Sequence, residues 1–348
     1  MKIIVLLFLI PIFIACIWDR DTIRDEIQNK ASLYDLVIGQ VPHHSEEYYR
    51  QSLANKDEIL KKYKESMGTN TIAAAYIRLK KFEEAEKILL AQLEKTPKDY
   101  YTNSNLGVMY KKMGKYSKAV VNMEKALKIK PEGHMGLGDW YLRMLKYKAL
   151  EKPPINNFLG EKYTKYFNPD VKADRTQALK IKQFEKLVRN DQTFADGFLA
   201  LADLLGDTGD LNLAMRAYLR AEKLGHHKKE YIKEKFSMLV SHVSMMGHTD
   251  KRLPARVLHY KKHNEEEFSK AIAWNIEFKK AEEELLKKSS NVDYKQVYEE
   301  LKRKGIKAYY PRWVSITQRR RASENWHLII IVDKVVVIKK ACPRFLSM

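Results

Sequence analysis

The strongest constraint on the fold is an internal repeat of 34 residues. Three positions carry the same residue at that offset, namely Tyr76 and Tyr110, Ala85 and Ala119, and Pro97 and Pro131. Inside both copies the apolar residues recur every three or four positions, which is the spacing of an amphipathic helix. A period of this length, with two helical patterns in each copy, predicts a solenoid of stacked helical hairpins.

Within the second copy, residues 100–133, glycine and proline stand where such a hairpin needs them. Gly107 lies on the first helix and lets the second helix approach closely, because it has no side chain. Gly114 supplies the turn, because glycine tolerates the left-handed backbone conformation just past a helix end. Pro131 ends the second helix because it has no N–H group to donate.

These residues resemble the tetratricopeptide (TPR) repeat family. The matching positions of the second copy are Leu106, Gly107, Tyr110, Gly114, Ala119, Ala126 and Pro131. A later unit, residues 195–228, keeps the spacing with Leu201, Ala202, Gly209, Ala214, Tyr218 and Ala221. Asn103 and Met123 depart from the family's aromatic positions, and His226 replaces the final proline. The resemblance implies an all-α fold, a TPR-type helical-hairpin solenoid with a less regular helical C-terminal part.

The N-terminus resembles the leader of a bacterial lipoprotein. Residues 1–15 carry one lysine and then an apolar run, which has the length of a signal peptide and is shorter than a membrane span. Residues 13–16 read Phe-Ile-Ala-Cys and are similar to a lipobox, whose cysteine carries the lipid in the mature protein. The resemblance implies lipidation, including a palmitate-type acyl chain, at Cys16.

The residue after the cysteine bears on localisation. Ile17 stands where an aspartate would resemble an inner-membrane retention signal, so we expect a membrane-anchored lipoprotein in the outer membrane, facing the periplasm. An uncleaved N-terminal anchor is the alternative. We expect six segments. They are a signal peptide (1–15), an N-terminal helical segment (16–65), a TPR array (66–150), an insertion (151–177), a TPR unit with a capping helix (178–246), and a basic helical C-terminal region with a short β-like tail (247–348).

The first helix of each TPR repeat lines a concave surface, and the resemblance implies that this surface binds protein or peptide partners. The partner-binding residues that it implies are Asn70, Arg78, Tyr101, Ser104, Val108, Lys111, Lys112, Asp196 and Asp203. One end of the surface is then basic and the other acidic. The family's clamp for C-terminal carboxylates is not reproduced, because Ala74 and Asp139 occupy two of its positions. The alternative is a set of solvated charges without a ligand.

Charge and motif content limit the other functions. The net charge of +20 favours acidic partners or anionic surfaces. We expect no nucleic-acid partner for an exported chain. The histidines at 259 and 263 would share a helix face, but the intervening Tyr-Lys-Lys lacks a catalytic glutamate and its lysines repel a dication. We therefore expect no metal, no cofactor and no enzymatic activity. The alternative is a lipoprotein enzyme or envelope-assembly factor that recruits substrates through its TPR repeats.

Overall fold

The computed structural model describes residues 31–63, 65–163, 175–247, 249–290, 292–308, 330–331 and 334–335. The helices are α1 Leu33–Ile38, α2 Glu46–Ala54, α3 Lys56–Lys62, α4 Glu65–Arg78, α5 Phe82–Lys95, α6 Tyr100–Lys112, α7 Tyr116–Ile129, α8 Gly133–Gly136, α9 Gly138–Lys148, α10 Arg175–Asn190, α11 Ala195–Asp207, α12 Leu211–Lys223, α13 Lys229–Val243, α14 Leu253–Leu286 and α15 Tyr294–Arg303. The strands β1, Ile330–Ile331, and β2, Lys334–Val335, pair antiparallel. The predicted fold class, an all-α TPR-type solenoid, is confirmed. The expected signal peptide and Cys16 lie outside the described residues.

Three helical hairpins form the regular part of the solenoid. They are α4 with α5, α6 with α7, and α11 with α12, and in each the two helices pack along their length. Ala85, Ala119 and Ala214, the repeated small residues, are fully buried. Small side chains at these positions let helices approach closely, and burial of the apolar stripe is what stabilises short helices in water. The 34-residue period therefore corresponds to the observed packing unit.

Gly107 lies at a close approach between α6 and α7. A Cβ atom added there would lie 3.1 Å from the Met123 Cε and 3.3 Å from the carbonyl oxygen of Ala119. The turn between the two helices uses Gly114 with φ +72°. Lys80 occupies the equivalent turn position of the first repeat and also has a positive φ, of 60°. A side chain in that conformation costs about 1–2 kcal/mol.

The third repeat is interrupted between its helices α9 and α10. Residues 151–163 pack on the neighbouring helices and bury Phe158, whose ring contacts those of Trp140, Phe184 and Phe194. Edge-to-face ring contacts of this kind stabilise a core beyond the area that they bury. Phe158 therefore holds the described part of the insertion, residues 151–163, against the helices of the interrupted repeat.

The C-terminal part contains one helix of 34 residues, α14, which begins at Leu253. The basic pattern of residues 247–265 favours an irregular segment, but the structure has a helix there from Leu253 onward. Leu253 and Phe268 are buried in α14, and Val257 and Tyr260 pack partly buried between them. Leu253, Val257 and Tyr260 are spaced by four and three positions, as in an amphipathic helix, but basic residues on the exposed side obscured that spacing. Pro254 stands in the first turn, where a missing N–H costs nothing.

Residues 31–45 connect α14 to the array. Tyr34, Leu36, Val37 and Ile38 of α1 are buried in the main core, against α10 and α12. The Asn275 side-chain amide donates to the Gly39 carbonyl at 2.7 Å. Helix α2 then packs on both α4 and α14. Helix α14 therefore reaches from α13, the helix that follows the last hairpin, to α2 beside the first repeat. Among the described helices none is both long and apolar enough to cross a membrane.

Candidate functional site: a basic cluster beside the first two repeats

Three helices bring cationic side chains to one place. Arg78 ends α4, and Lys111 and Lys112 end α6, the neighbouring first helix of the next repeat. A cation at a helix C-terminus is stabilised by the carbonyl groups that point there. Lys80 follows in the turn after α4, and Lys279 comes from α14. We call these five residues, Arg78, Lys80, Lys111, Lys112 and Lys279, the basic cluster.

The position of Lys279 follows from the contacts of Glu282. The Glu282 carboxylate lies 2.5 Å from His44 Nδ1 and accepts the Ser45 backbone N–H at 2.5 Å. Lys279 precedes Glu282 by three residues on α14, so both lie on the same side of that helix. Lys279 therefore stands next to His43, and its side chain is exposed.

His43 is surrounded by the cations of three elements. Burial first, and then the charges of Arg78, Lys279 and Lys112 in that order, lower the pKa of the His43 imidazole to about 3. A buried histidine among like charges favours the neutral form. Arg78, Lys112 and Lys279 are therefore all within electrostatic reach of His43, although they lie far apart in the chain.

Lys111 is neutralised within the protein, whereas Lys112 is not. The Nζ atoms of Lys111 and Lys148 lie 3.3 and 3.2 Å from Asp191 Oδ2. Burial opposes ionisation of Asp191, but these two lysines and the hydrogen bonds from Thr193 outweigh it and hold the Asp191 pKa well below its usual range. Lys111 and Lys148 share the Asp191 carboxylate, so Asp191 does not form an ion pair with the adjacent Lys112.

Lys112 is exposed and makes no ion pair with any residue that the structure describes. Desolvation by the surrounding protein, followed by the charges of Arg78 and Lys111, lowers its pKa to about 8. Like charges that are held close disfavour the protonated form of a lysine. The exposed part of the basic cluster is therefore a region of strong positive potential.

The structure places the other predicted residues of the basic end in the interior of the array. Asn70 donates to Thr102 Oγ1 at 2.9 Å and accepts from the Asn105 side chain at 2.8 Å, which links α4 to α6. Ser104 and Val108 are buried, and Tyr101 is partly exposed with its ring against Tyr100. The role of these four in partner binding stays a prediction.

The predicted acidic end is engaged by neighbouring side chains. Asp203 is partly buried and accepts hydrogen bonds from the Tyr218 hydroxyl at 2.5 Å and the Tyr231 hydroxyl at 2.9 Å. Burial raises the pKa of Asp203 to about 6, because it disfavours the charged form more than these bonds favour it. Asp196 accepts from the Tyr147 hydroxyl at 3.0 Å. The structure thus brings Arg78, Lys111 and Lys112 together and holds Asp196 and Asp203 in a separate tyrosine network.

Asp196, His226 and His227 also form a group whose nitrogen and oxygen atoms lie within 4.8 Å of one another. His226 Nδ1 accepts the Lys228 backbone N–H at 3.0 Å, so the proton of the neutral ring is on Nε2, which points at Asp196 from 3.0 Å. A metal needs that nitrogen without its proton. The arrangement suits a turn that starts α13 better than a metal site. In the sequence, the sign that His226 forms this turn was its position, where the TPR pattern has its final proline.

The fold and the hairpin contacts define the chain as a TPR-type helical solenoid. Residues 45–156 match the family described as the psidin N-terminal TPR repeats region. The match covers about a third of the chain and includes helices α2 to α9. A comparison with curated proteins gives no match. The chain therefore contains a TPR repeat region, and the residues of the basic cluster on α4 and α6 belong to it.

Proposed function

We propose that the protein is a lipid-anchored TPR scaffold that binds partner proteins at the bacterial cell envelope. Solenoids of this kind bind proteins through extended surfaces that their repeats create. The observation that carries the proposal is the basic cluster, in which an exposed and unneutralised Lys112 lies within the matched repeats. TPR repeat regions typically act as non-catalytic scaffolds, so we assign the protein no reaction.

The anchor is the second part of this proposal. The lipobox-like residues before Cys16 support attachment of lipid there, and stable anchoring of a protein takes more than one acyl chain. A diacylated and amide-acylated cysteine supplies three. We propose the outer membrane, with the solenoid in the periplasm, because Ile17 replaces the aspartate of a retention signal.

A pull-down with a charge-reversal variant tests partner binding. The Lys112→Glu chain is compared with Lys125→Glu, which reverses an exposed lysine on the middle of α7. We expect Lys112→Glu to recover less than a tenth of the partner proteins that the wild-type chain recovers, and Lys125→Glu to recover them all. Equal recovery by both variants would place partner binding elsewhere. Unchanged melting temperatures verify that both variants are folded.

Labelling with a fatty-acid analogue tests the anchor. Cells that express the wild-type chain should give a labelled band, and cells that express Cys16→Ser should give none. Equal labelling of the two chains would refute lipidation at Cys16. Separation of the inner and outer membranes of the same cells then tests the proposed location, and recovery with the inner membrane would contradict it.

A further inference from the structure

The outward side of α7 carries an unbalanced positive charge. Spacings of three and four positions place five exposed residues on one side of this helix. We call them the α7 face, and they are Lys118, Val121, Lys125, Lys128 and Ile129. Glu124, the acidic residue of α7, is paired with Lys146 Nζ at 2.7 Å. Within α7 three positive charges therefore stand without a compensating carboxylate.

The corresponding face of α5, in the preceding repeat, is balanced. Counting back 34 positions from the α7 face gives five exposed residues whose charges cancel, and these are Glu84, Lys87, Ala91, Glu94 and Lys95. Both helices are the second helix of a hairpin, and each buries its repeated alanine, Ala85 or Ala119. The hairpin thus folds with a neutral outer face, so its packing does not require the lysines of α7.

The lysines of the α7 face are available to a ligand. Lys125 and Lys128 form no ion pair or hydrogen bond with the residues of the described ranges. Lys118 Nζ lies 5.3 Å from the centre of the Tyr110 ring, and this contact leaves its positive charge in place. Like charges three or four positions apart on a helix repel each other. An anionic ligand would relieve the repulsion between Lys125 and Lys128.

The shape and chemistry of the α7 face match a bilayer surface. The face extends over eleven residues, or about 16 Å, which suits a surface better than a compact ligand. Val121 and Ile129 lie among the lysines and are 50% and 39% exposed. Apolar side chains enter the boundary between headgroups and acyl chains, while lysines extend their ammonium groups to the headgroups. Lysine is a flexible point charge, whereas fixed carboxylates of a protein favour the planar fork of arginine.

We propose that the α7 face binds the surface of a bilayer that contains anionic phospholipids. The lysines contact the headgroups, and Val121 and Ile129 contact the outer ends of the acyl chains. This inference goes beyond the binding of partner proteins. It does not depend on lipidation of Cys16, because the side chains of α7 make the contact themselves.

Flotation of the full chain with vesicles tests this surface. The measured quantity is the ratio of the partition coefficients on phosphatidylcholine vesicles with and without phosphatidylglycerol. Contributions that neutral lipid also receives, including that of residues 1–16, cancel in this ratio. Two lysines close to an anionic bilayer change partitioning by about thirtyfold. We therefore expect the double variant Lys125→Gln with Lys128→Gln to lower the ratio by about that factor.

The matched control for flotation removes the same charge from the corresponding face of α5. Lys87→Gln with Lys95→Gln should leave the ratio of the wild type unchanged, because that face does not contact the bilayer. Unchanged melting temperatures verify that both double variants are folded. A wild-type ratio near one, or an equal loss in the two double variants, would overturn the proposal.

A polarity-sensitive fluorophore measures whether the α7 face enters the bilayer boundary. It is attached to Val121→Cys in a chain that also carries Cys16→Ser and Cys342→Ser. Lys87→Cys in the same background places the label at the corresponding position of α5. Emission from position 121 should shift to shorter wavelength on anionic vesicles, and emission from position 87 should not. A shift at both positions, or at neither, would contradict contact through α7.

Recovery of partner proteins separates this inference from the proposed function. Lys125→Gln with Lys128→Gln should recover the same partner proteins as the wild type, because these lysines contact lipid. If this variant loses the partners and keeps the wild-type vesicle ratio, α7 binds an acidic protein and the bilayer inference is overturned. If the wild-type vesicle ratio is near one while Lys112→Glu loses its partners, the bilayer inference is overturned and the scaffold proposal stands.

Discussion

The buried ion pair between Arg216 and Glu267 makes a strong prediction about how α14 is held. The Arg216 Nε and Nη2 atoms donate to the two Glu267 oxygens at 2.6 and 2.7 Å, and both side chains are almost fully buried. The Tyr34 hydroxyl donates to the same carboxylate at 3.2 Å. Glu267 thus connects three elements, α1, α12 and α14.

Glu267→Ala leaves the Arg216 charge buried without its carboxylate. Breaking one side of a buried pair costs about 3–5 kcal/mol of the free energy of unfolding. The measurement is urea denaturation followed by far-UV circular dichroism. Glu277→Ala, which breaks the exposed pair with Lys280, should cost less than about 1 kcal/mol. Arg216→Met combined with Glu267→Leu should recover most of the loss, because no unpaired charge remains. A loss below about 1 kcal/mol for Glu267→Ala would refute this reasoning.

Three further predictions concern the repeats. Gly107→Ala should lower the free energy of unfolding by about 1 kcal/mol in urea, because the added methyl group would lie 3.3 Å from the backbone carbonyl oxygen of Ala119 and this crowding exceeds the helix propensity that alanine gains; a stabilised variant would contradict the close helix contact. Lys80→Gly should raise it by about 1 kcal/mol, because glycine removes the strain of a positive φ; a destabilised variant would show that no strain was present. For Asp203, the folded-state pKa of about 6 lies above the ordinary 3.8, so the folded chain binds this proton more tightly. Its contribution to stability should fall by about 2 kcal/mol as pH rises from 4 to 6, and Asp203→Asn should lack that decline; identical pH profiles of the two chains would refute the shift.

The local parts of the fold were predictable from the sequence. The 34-residue period placed the hairpins, and Ala85, Ala119 and Ala214 are buried as small interface residues must be. Gly114 adopts the left-handed conformation that its position in the repeat required. These features depend only on residues within one helical turn or one repeat, so they can be predicted from a single sequence.

The parts that depend on distant contacts were not predictable in this way. The pairs His44–Glu282 and Tyr34–Glu267 join residues more than 230 positions apart, and no periodicity signals them. For the same reason Arg78 and Lys112 were predicted as partner-binding residues from the sequence, whereas Lys279 on α14 was not. Asp203 was predicted on an open surface because its helix face was known and the tyrosines that cover it were not.

The most direct test of the account is crosslinking from the basic cluster in living cells. A photo-crosslinking amino acid replaces Lys112 in one chain and Lys125 in the other, and adducts are resolved by mass after irradiation. We predict discrete protein adducts from position 112 that are absent from position 125, because the partner contacts the exposed end of α6. The same adducts from both positions, or adducts from position 125 alone, would contradict partner binding at this surface.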